Sequence, residues 1–408
     1  MKVKLVHFSK DLCSNIDKYG LDSAVALAGR EAGICYMSDS YLSDKVYDTE
    51  AAIKRAEGIL KTGHHSPFDH ISMGLEISDI PKILAMLLNS TRFYTTSEKS
   101  ARYTKMSGIS HKEKVLYDKW VETFKNLIAE KYPNIDEKRC TKLAMENARY
   151  VISVFTPTSM GFTTTFRQLS YLYYWLKDFA EVSDFSDSEF LKELSKYCNE
   201  LADLIYPYTK GIVPNIKGTH LKFLPTVFTK ESDFDRCHLQ YAMTTLHTYD
   251  ISYVCSLACI AQLHRHRTLN YSISEPLIGR FYLPPILTAN GCKELIKEWF
   301  ADLESIKDLV PQATLVYAVE SGLVEDFTLK CKERLCGRAQ LEAAQNVYNS
   351  AKRIYASMKV TCNGLGTEIP ECLKDITNGD YVNTKCQIRG IKCTEPCEFG
   401  KNALTRLI

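Results

Sequence analysis

The sequence contains no uninterrupted apolar run of the roughly 18 to 20 residues that a membrane-spanning helix requires. It also lacks an excess of charge of either sign, since 51 Lys and Arg residues face 49 Asp and Glu residues over 408 positions. A nucleic-acid-binding surface would be strongly basic, so neither a nucleic-acid nor a membrane partner is expected. The first stretch, MKVKLVHFSKDL, alternates apolar and polar residues like a strand and lacks the apolar centre of a signal peptide, so we expect a cytoplasmic protein.

Motifs for dinucleotide, phosphate and acyl chemistry are also absent from the sequence. There is no Gly-x-Gly-x-x-Gly or Walker loop, which leaves a Rossmann dinucleotide fold and a P-loop ATPase without support. No Gly-x-Ser-x-Gly elbow of a serine hydrolase is present either. The 15 cysteines are many, but an odd number scattered along the chain does not indicate a disulfide framework.

The length and composition of the chain predict a two-domain α+β protein. A chain of 408 residues is longer than a single compact domain usually is. Its content of 45% hydrophobic and 25% charged residues is typical of soluble globular proteins. The Pro- and Gly-rich stretch YPYTKGIVPNIKGTHLKFLP places a boundary near residue 215. We therefore predict domains over 1–215 and 216–360, followed by a cysteine-rich tail over 361–408.

Hydrophobic periodicity predicts the individual elements. HISMGLEISD alternates apolar residues from Ile71 to Ile77 and predicts a half-buried strand. A helix is predicted before it, around Ile53 to Leu60, and another in DIPKILAMLLNS with Asp79 as N-cap and Pro81 in the first turn. Further helices are predicted over 112–132, 136–155, 163–180, 187–206, 238–264, 291–308 and 323–358.

The stretch QLHRHRTLNYSIS places Arg265, His266 and Arg267 at the end of a nearly charge-free segment. Cations at a helix C-terminus complement the helix dipole by roughly a few tenths to 1 kcal/mol, so simple capping is one interpretation. The other is a rigid fork of two guanidinium groups and an imidazole for phosphates or heterocycle carbonyls, which Arg binds bidentately and Lys does not. The residues alone leave both interpretations open.

Two further stretches carry polar side chains in loops. GHHSPFDH, residues 63–70, matches no standard zinc spacing, so it predicts either a turn built on Pro67 or a His/Ser/Asp loop that meets a cofactor. SEKSARY, residues 97–103, offers Ser100, backbone N–H groups and Arg102 to a phosphate monoester, although a solvated loop looks much the same.

These stretches together resemble flavin-dependent thymidylate synthases (the ThyX family). Arg265-His266-Arg267, preceded by Gln262, resembles the family's Arg-His-Arg signature, and GHHSPFDH resembles its Gly-His-Glu-Thr-Pro-Phe-Glu-His loop. SEKSARYTKM resembles its Asn-Glu-x-Ser-Gly-Arg-Tyr-Ser-Lys loop. The segments ENARYVIS, ICYMSDS and KERLCGRAQLE resemble three further landmarks, in the family's order, so that the resemblance touches most of residues 20–345.

The resemblance implies an FAD enzyme that methylates deoxyuridylate to thymidylate, with methylenetetrahydrofolate as one-carbon donor and NADPH as reductant. His64, Ser66 and Asp69 would face FAD together with Arg265, His266 and Arg267. Arg334 would lie at the uracil edge and, with Arg265 and Arg267, form the catalytic set. The implied nucleotide-binding residues are Gln262, Glu98, Ser100, Ala101, Arg102, Arg149 and Arg334.

The sequence departs from the family's single-domain pattern in a complementary way. The first half keeps the substrate loop but has Ser90-Thr91-Arg92 where Arg-His-Arg belongs. The second half keeps Arg-His-Arg but has Glu275 in place of the signature's Ser. Each half also has a helix followed by an arginine, a Ser/Thr-rich loop and an Arg-aromatic pair. We therefore expect two tandem thymidylate-synthase-complementing-type domains, helices on a mainly antiparallel sheet, in a homodimer that mimics the family's tetramer.

Positions near the flavin and the cysteine tail leave alternatives open. Family asparagines are replaced by Thr165 and Tyr171 in the first half and by Leu323 and Leu329 in the second. One alternative is therefore a relative that binds flavin or nucleotide and acts on another pyrimidine or lacks turnover. Another is a structural α+β protein whose cationic helix end is only a cap. The tail could bind zinc through four thiolates or keep them as free thiols; the four are Cys372, Cys386, Cys393 and Cys397.

Overall fold

The computed structural model describes residues 1–9, 20–34, 48–89, 94–99, 108–184, 186–209, 226–229, 240–289, 291, 293–394 and 396–408. By its internal contacts the chain divides into two compact units. The first unit comprises Met1–Lys99 and Pro157–Leu224, and the second comprises Ser100–Thr156 and Pro225–Ile408. The predicted boundary near residue 215 lies outside the described residues. Among the described helices, none is both long and apolar enough to cross a membrane.

The helices and strands are numbered here in chain order. The strands are β1 (Lys2–Phe8), β2 (Ser72–Pro81), β3 (Tyr94–Glu98), β4 (Pro157–Thr165), β5 (Thr226–Thr229), β6 (Ala242–Thr244), β7 (Thr248–Ser256), β8 (Asn270–Ser274), β9 (Leu277–Phe281) and β10 (Thr314–Leu323). The α-helices are α1 (Asp22–Gly33), α2 (Thr49–Thr62), α3 (Lys82–Leu88), α4 (His111–Lys131), α5 (Glu137–Ala148), α6 (Phe166–Asp184), α7 (Glu189–Ile205), α8 (Leu257–Leu263), α9 (Ile286–Ala289), α10 (Lys293–Ser305), α11 (Val324–Arg334), α12 (Leu341–Leu365) and α13 (Glu371–Lys374).

The first unit contains a four-stranded antiparallel sheet in the order β1-β2-β4-β3. The alternation in HISMGLEISD correctly predicted β2, since Met73, Leu75 and Ile77 are buried while Glu76 is exposed. The helices predicted over 187–206 and before β2 are confirmed as α7 and α2. Together with the second unit's sheet, this confirms the α+β fold class.

Two helix boundaries in the first unit were predicted wrongly. Asp79 is not an N-cap: it has φ 57° at a register shift in β2, the strand continues to Pro81, and Pro81 itself precedes α3. The register shift keeps Ile80 buried against β4, which the helical pattern did not anticipate. The helix predicted from residue 163 begins only at Phe166, because the preceding threonines belong to β4.

The second unit contains a larger sheet in the order β5-β8-β10-β7-β6, with β9 also paired to β10. The long helix predicted over 238–264 is wrong, because that range contains the strands β6 and β7 and, among its described residues, only α8 is α-helical. Strand β7 is covered on both faces, so Ile251, Ser252 and Tyr253 are all buried in succession. A continuous buried run lacks the period of two that distinguishes a strand from a helix.

The other predictions for the second unit are mostly confirmed. Helices α4 and α10 match the predicted ranges 112–132 and 291–308, and the range 136–155 holds α5 followed by a 3₁₀ turn at Arg149–Val151. The range 323–358 is two helices rather than one, since α11 ends at Arg334 and α12 begins at Leu341. Gly337 lies in that break, where an added Cβ would come within 2.4 Å of the Cys397 sulfur.

The two units repeat one order of elements. In the first unit the order is β2-α3-β3, later β4-α6, and β4 pairs with both β2 and β3. In the second unit it is β7-α8-β8, later β10-α11, and β10 pairs with both β7 and β8. In each sheet a further antiparallel strand pairs with the first of these strands: β1 pairs with β2, and β6 pairs with β7.

Helices α4 and α5, which follow β3 in the chain, pack in the second unit against α10, which follows β8. The contact is aromatic: the rings of Trp120 and Trp299 meet edge to face at 4.7 Å, and Phe124 lies 5.8 Å from Trp299. All three side chains are fully buried. The hydrophobic core of the second unit is therefore built from two separate parts of the chain.

The last residues of the chain also pack on the second unit. Arg406 is buried and donates to the carbonyl of Ala339 at 2.6 Å, and the N–H of Leu407 donates to the hydroxyl of Tyr132 at 2.9 Å. Among its described residues, the tail after α12 contains the short helix α13 and two 3₁₀ turns, Lys385–Gln387 and Gly400–Asn402.

Candidate functional site

The segment Arg265-His266-Arg267 forms the turn that links α8 to β8. Helix α8 begins where the hydroxyl of Ser256 accepts a hydrogen bond from the N–H of Cys259 at 3.0 Å. It ends at Leu263, whose carbonyl accepts from the N–H of His266 at 3.2 Å. Arg265 and Arg267 have exposed side chains, while that of His266 is only 11% exposed. Two guanidinium groups therefore flank a mostly buried imidazole.

The carbonyl groups at the end of α8 are capped by side chains from outside the helix. Arg334 Nη2, from the last turn of α11, donates to the carbonyl of Gln262 at 3.2 Å. The hydroxyl of Tyr271, from β8, donates to the carbonyl of Leu263 at 2.8 Å. The last carbonyls of a helix have no partner within it, so these bonds fix how α8 ends. The structure thus brings Gln262 and Arg334, both predicted site residues, to the Arg-His-Arg turn.

A buried ionic cluster that the sequence analysis missed lies on the same elements. Lys330 of α11 pairs with Glu320 of β10, and both side chains are fully buried. The hydroxyls of Tyr249 and Tyr253 each donate to the Glu320 carboxylate at 2.7 Å. The only sequence signal is a glutamate within the apolar run TLVYAVESGL, and its lysine partner ten positions later cannot be identified by spacing alone.

This environment holds His266 in its neutral form. Burial, together with the nearby positive charges of Lys330 and Arg334 and the neighbouring His264, lowers the pKa of His266 to about 2. Glu333 is the nearest carboxylate in the described chain, 3.9 Å from Nε2, but its side chain is 64% exposed. A neutral imidazole has one nitrogen that donates and one that accepts a hydrogen bond.

Arg149 lies in a different part of the second unit, beside a buried carboxylate. Glu342 accepts hydrogen bonds from the N–H of Ser256 and the hydroxyl of Tyr150, both at 2.7 Å. Burial raises the pKa of Glu342, and Arg149 acts in the opposite direction. The structure therefore places Arg149 as a charge near Glu342, at the end of β7 that leads into α8.

The loop GHHSPFDH is a 3₁₀ turn at Ser66–His70 that follows Gly63, which has φ 78°. The turn built on Pro67 is confirmed. His64 and Ser66 are exposed, but the Asp69 carboxylate accepts from the hydroxyl of Thr165 at 2.8 Å and pairs with Arg167. The predicted flavin-facing carboxylate is therefore engaged inside its own unit.

His65, which the sequence analysis did not single out, is the buried histidine of that loop. Its Nδ1 lies 3.0 Å from the hydroxyl of Tyr171, and burial and Arg167 lower its pKa. Thr165 and Tyr171, where the family resemblance predicts asparagines, thus both bond to residues of the loop.

Glu98 ends β3 with a side chain that points into the first unit. Its carboxylate pairs with Lys82 and accepts from Asn89 Nδ2 at 3.0 Å, and the side chain is 0% exposed. The rest of the predicted substrate loop, Ser100, Ala101 and Arg102, lies outside the described residues. So do Ser90-Thr91-Arg92 and the segment CYMSDS, residues 35–40.

The four tail cysteines do not form a metal site in this structure. Cys386 and Cys393 are exposed, Cys372 and Cys397 are half-buried, and Cys397 packs on Gly337. Among the described side chains, no three His, Cys, Asp or Glu residues are arranged to hold a metal ion. The zinc interpretation has no support from the geometry.

Residues 17–203 match the family model described as thymidylate synthase complementing protein. The family resemblance is confirmed for this segment, which contains GHHSPFDH and SEKSARY, while Arg265-His266-Arg267 and Arg334 lie beyond it. No curated protein matches the chain.

The chain is also similar to solved structures at low identity. One is a flavin-dependent thymidylate synthase ThyX from Helicobacter pylori complexed with FAD and dUMP, 18% identical, covering 55% of this chain and 98% of that chain with a TM-score of 0.29. Another is a UMP/dUMP methylase PolB from Streptomyces cacaoi bound with 5-Br dUMP, 17% identical, covering 42% of this chain and 76% of that chain with a TM-score of 0.29.

Proposed function

Since residues 17–203 match the thymidylate synthase complementing protein family, we propose that this chain is a flavin-dependent enzyme of pyrimidine nucleotide methylation. The proposed reaction converts deoxyuridylate to thymidylate, with methylenetetrahydrofolate as the source of carbon and NADPH as the reductant. One methylene unit is transferred to C5 of the uracil ring and reduced to methyl, while the C5 proton leaves to solvent.

The observation that carries the proposal is the donor set of the Arg-His-Arg turn. Arg265 and Arg267 have exposed side chains on a turn whose helix end is fixed by Arg334 and Tyr271. Paired guanidinium groups suit the phosphates of a nucleotide or of FAD, and a neutral imidazole suits the edge of a heterocycle. These residues fit FAD, which when bound would supply the redox chemistry.

The proposed roles differ between the predicted residues. Arg265, His266, Arg267, His64 and Ser66 would contact FAD. A further set would bind the nucleotide: Gln262, Ser100, Ala101, Arg102, Arg149 and Arg334. Asp69 and Glu98 have carboxylates engaged by Arg167 and Lys82, so we assign them to holding their loops rather than to direct contact. Arg334 would stabilise negative charge on the uracil carbonyl oxygens, as preorganised cations do in a partly dry site.

The repeated order of elements supports the proposal that the two halves are a tandem duplication. Strands β2, β3 and β4 pair as β7, β8 and β10 do, with a helix after the first and the last strand of each set. In this proposal the first half contributes the substrate loop, the second half contributes Arg-His-Arg, and the chain acts as a homodimer in the cytoplasm.

Two measurements test the proposed activity. Purified protein should show a flavin absorption band and should release tritium from C5-labelled deoxyuridylate when methylenetetrahydrofolate and NADPH are present. Arg267→Ala should reduce tritium release by about a hundredfold or more, as the loss of a charged transition-state contact does. Arg389→Ala, an exposed arginine in the tail, is the matched control and should leave the rate unchanged. Absence of both flavin and tritium release would reject the proposal.

A second candidate function is a flavin- or nucleotide-binding relative that lacks turnover. It is favoured by the internal bonds of Thr165 to Asp69 and of Tyr171 to His65, at the positions where the family has asparagines. Protein that carries flavin and binds deoxyuridylate but releases no tritium would support this candidate.

Mixing two inactive variants tests whether the working site spans two chains. Arg102→Ala and Arg267→Ala inactivate different halves, so a mixed dimer keeps one unaltered set only if the two halves of a site come from different chains. No regained activity in verified mixed dimers would reject a site formed between chains.

A further inference from the structure

A buried network of hydrogen bonds in the second unit centres on Glu342, in the first turn of α12. This residue is only 6% exposed, and both oxygens of its carboxyl group accept hydrogen bonds. The N–H of Ser256 donates to Oε1 at 2.7 Å. The hydroxyl groups of Ser256 and Tyr150 donate to Oε2 at 2.5 Å and 2.7 Å. Glu342 therefore joins three segments that are far apart in the sequence.

A second hydrogen bond fixes the direction in which each of the two hydroxyl groups donates. The Tyr150 hydroxyl accepts from Gln340 Nε2 at 2.6 Å, so its own proton is directed to Glu342. The Ser256 hydroxyl accepts from the N–H of Cys259 at 3.0 Å and likewise donates to Glu342. The centre of this network must therefore accept on two atoms, which a carboxylate does and an amide or aliphatic side chain does not.

Each segment that meets at Glu342 carries or adjoins a residue of the candidate site. Tyr150 directly follows Arg149 in the same 3₁₀ turn. Ser256 is the N-cap of α8, whose other end leads into the Arg-His-Arg turn. Helix α12 follows α11, which ends at Arg334. The carboxyl group thus stands between the parts of the chain that bear the candidate residues of the second unit.

We propose that Glu342 is a positioning residue of the candidate site, which holds the turn bearing Arg149 and the helix leading to Arg265-His266-Arg267 in a fixed relation to each other. The inference rests on the proposed function, because the ligands of that site are what would respond to this relation. Glu342 acts through Tyr150 and Ser256 rather than by touching a ligand.

Ser256 is the junction at which strand β7 ends and helix α8 begins. Its N–H and its hydroxyl both donate to one carboxyl group, so Glu342 holds this junction at two points. Helix α8 spans Leu257–Leu263, which is about 10 Å at 1.5 Å per residue, so a change of about 10° in its direction would move its far end by about 2 Å. A misplacement of about 1 Å can cost an enzyme about a hundredfold in rate.

Stability alone does not account for a carboxyl group at this position. Removing a polar or charged group from water is costly, and an apolar side chain of similar volume is often at least as stable in a protein interior. An apolar side chain does not provide two acceptors in fixed directions, one toward each segment. The network therefore favours a role of Glu342 in the geometry of the site.

Glu342→Met tests the inference directly, because methionine keeps a similar volume but lacks both carboxyl oxygens. In the presence of FAD we expect the dissociation constant of deoxyuridylate to rise about tenfold, a change equivalent to about 1.4 kcal/mol. Glu342→Gln keeps one oxygen that accepts and should raise the dissociation constant by a smaller factor, about threefold. If Glu342→Met does not fold, an unchanged dissociation constant in folded Glu342→Gln overturns the inference.

Met358→Ala is the matched control for the loss of stability. Met358 lies on the same helix, about 24 Å from Glu342 along the axis, and its side chain is fully buried, so its truncation destabilises the same unit. With folding of both variants verified by circular dichroism, Met358→Ala should leave the dissociation constant of deoxyuridylate unchanged. Equal weakening in Met358→Ala and Glu342→Met, or unchanged binding in Glu342→Met, would overturn the positioning role.

Hydrogen exchange measures the two segments without any ligand. In Glu342→Met, amides in residues 149–156 and 257–264 should exchange faster relative to those of α10, residues 293–305, because the segments are released locally. Met358→Ala should change the exchange of all three peptides by a common factor, as a loss of global stability does. A common factor in Glu342→Met as well would contradict a local role of the carboxyl group.

The two readouts separate this inference from the proposed function. If the unmodified protein binds neither FAD nor deoxyuridylate, but Glu342→Met selectively releases the two segments, the proposed function fails and Glu342 as their link is supported. If both ligands bind and Glu342→Met binds deoxyuridylate as tightly as the unmodified protein, the proposed function is supported and the inference fails.

Discussion

Replacing Trp299 by alanine should destabilise the second unit strongly. The side chain is 0% exposed, its ring meets Trp120 and Phe124, and its indole N–H donates to the carbonyl of Tyr282 at 2.9 Å. Truncating a buried tryptophan costs about 3–5 kcal/mol, and the orphaned carbonyl places the expected value in the upper part of that range. Against a total stability of about 5–15 kcal/mol this is a large loss.

Urea unfolding followed by tryptophan fluorescence measures this loss for each unit separately. Of the three tryptophans in the chain, Trp175 lies in the first unit and Trp120 remains in the second after Trp299→Ala. The transition reported by Trp120 should shift to lower urea, while that of Trp175 should not. Phe300→Ala, at the next residue of α10 with a side chain 36% exposed, is the control and should cost about 1 kcal/mol or less.

A double-mutant cycle then isolates the contact between the two tryptophans. Trp120→Leu and Trp299→Leu should be non-additive by about 0.5–1.5 kcal/mol, the coupling measured for aromatic pairs in contact. A Trp299→Ala loss no greater than that of Phe300→Ala, or additive costs in the cycle, would refute the packing of α4 against α10.

Three further perturbations test the buried polar groups. Lys330→Met alone should cost about 3–5 kcal/mol by leaving the Glu320 charge unpaired, and Lys330→Met/Glu320→Gln, whose amide oxygen can still accept from Tyr249 and Tyr253, should recover most of it in urea unfolding; equal losses would contradict a buried ion pair. Burial raises the pKa of Glu342 above its ordinary value of 4.5 in the folded protein. The stability that Glu342 contributes is therefore present below pH 4.5 and is lost as the pH rises through the folded pKa. Glu342→Gln should make the free energy of unfolding less dependent on pH over that range, and an unchanged pH profile would contradict this prediction. Ser110→Ala, which removes the capping box at the start of α4, should cost about 1 kcal/mol in the same assay, and no loss would argue against that cap.

The period of hydrophobic residues predicted the elements that have one covered face. Strand β2 and helices α2, α4, α7 and α10 have one buried and one exposed side, so their residues repeat with a recognisable spacing. The prediction for β7 was wrong because neighbouring elements cover both faces of this strand, so its buried residues show no regular spacing. The prediction of Asp79 as a helix N-cap was wrong because this residue lies at a register shift in β2.

The sequence predicts candidate site residues most directly where they are consecutive. Arg265, His266 and Arg267 stand together in the chain, and Arg334 followed from a second motif. Lys330 and Glu320 were missed because their pairing depends on how α11 packs against strand β10. The internal bonds of Asp69 and Glu98 were missed for the same reason, since their partners are set by packing.

The second unit is built from two separate parts of the chain, so it cannot complete its folding until the later part has been synthesised. Trp120 donates to Asp302 across 182 positions, and Leu407 donates to Tyr132 across 275. At roughly 5–20 residues per second a ribosome delivers Asp302 about 9–36 s after Trp120. During that interval the apolar face of α4 has emerged without its partner, so nascent chains that stall before residue 293 should be clients of chaperones that hold exposed apolar surface.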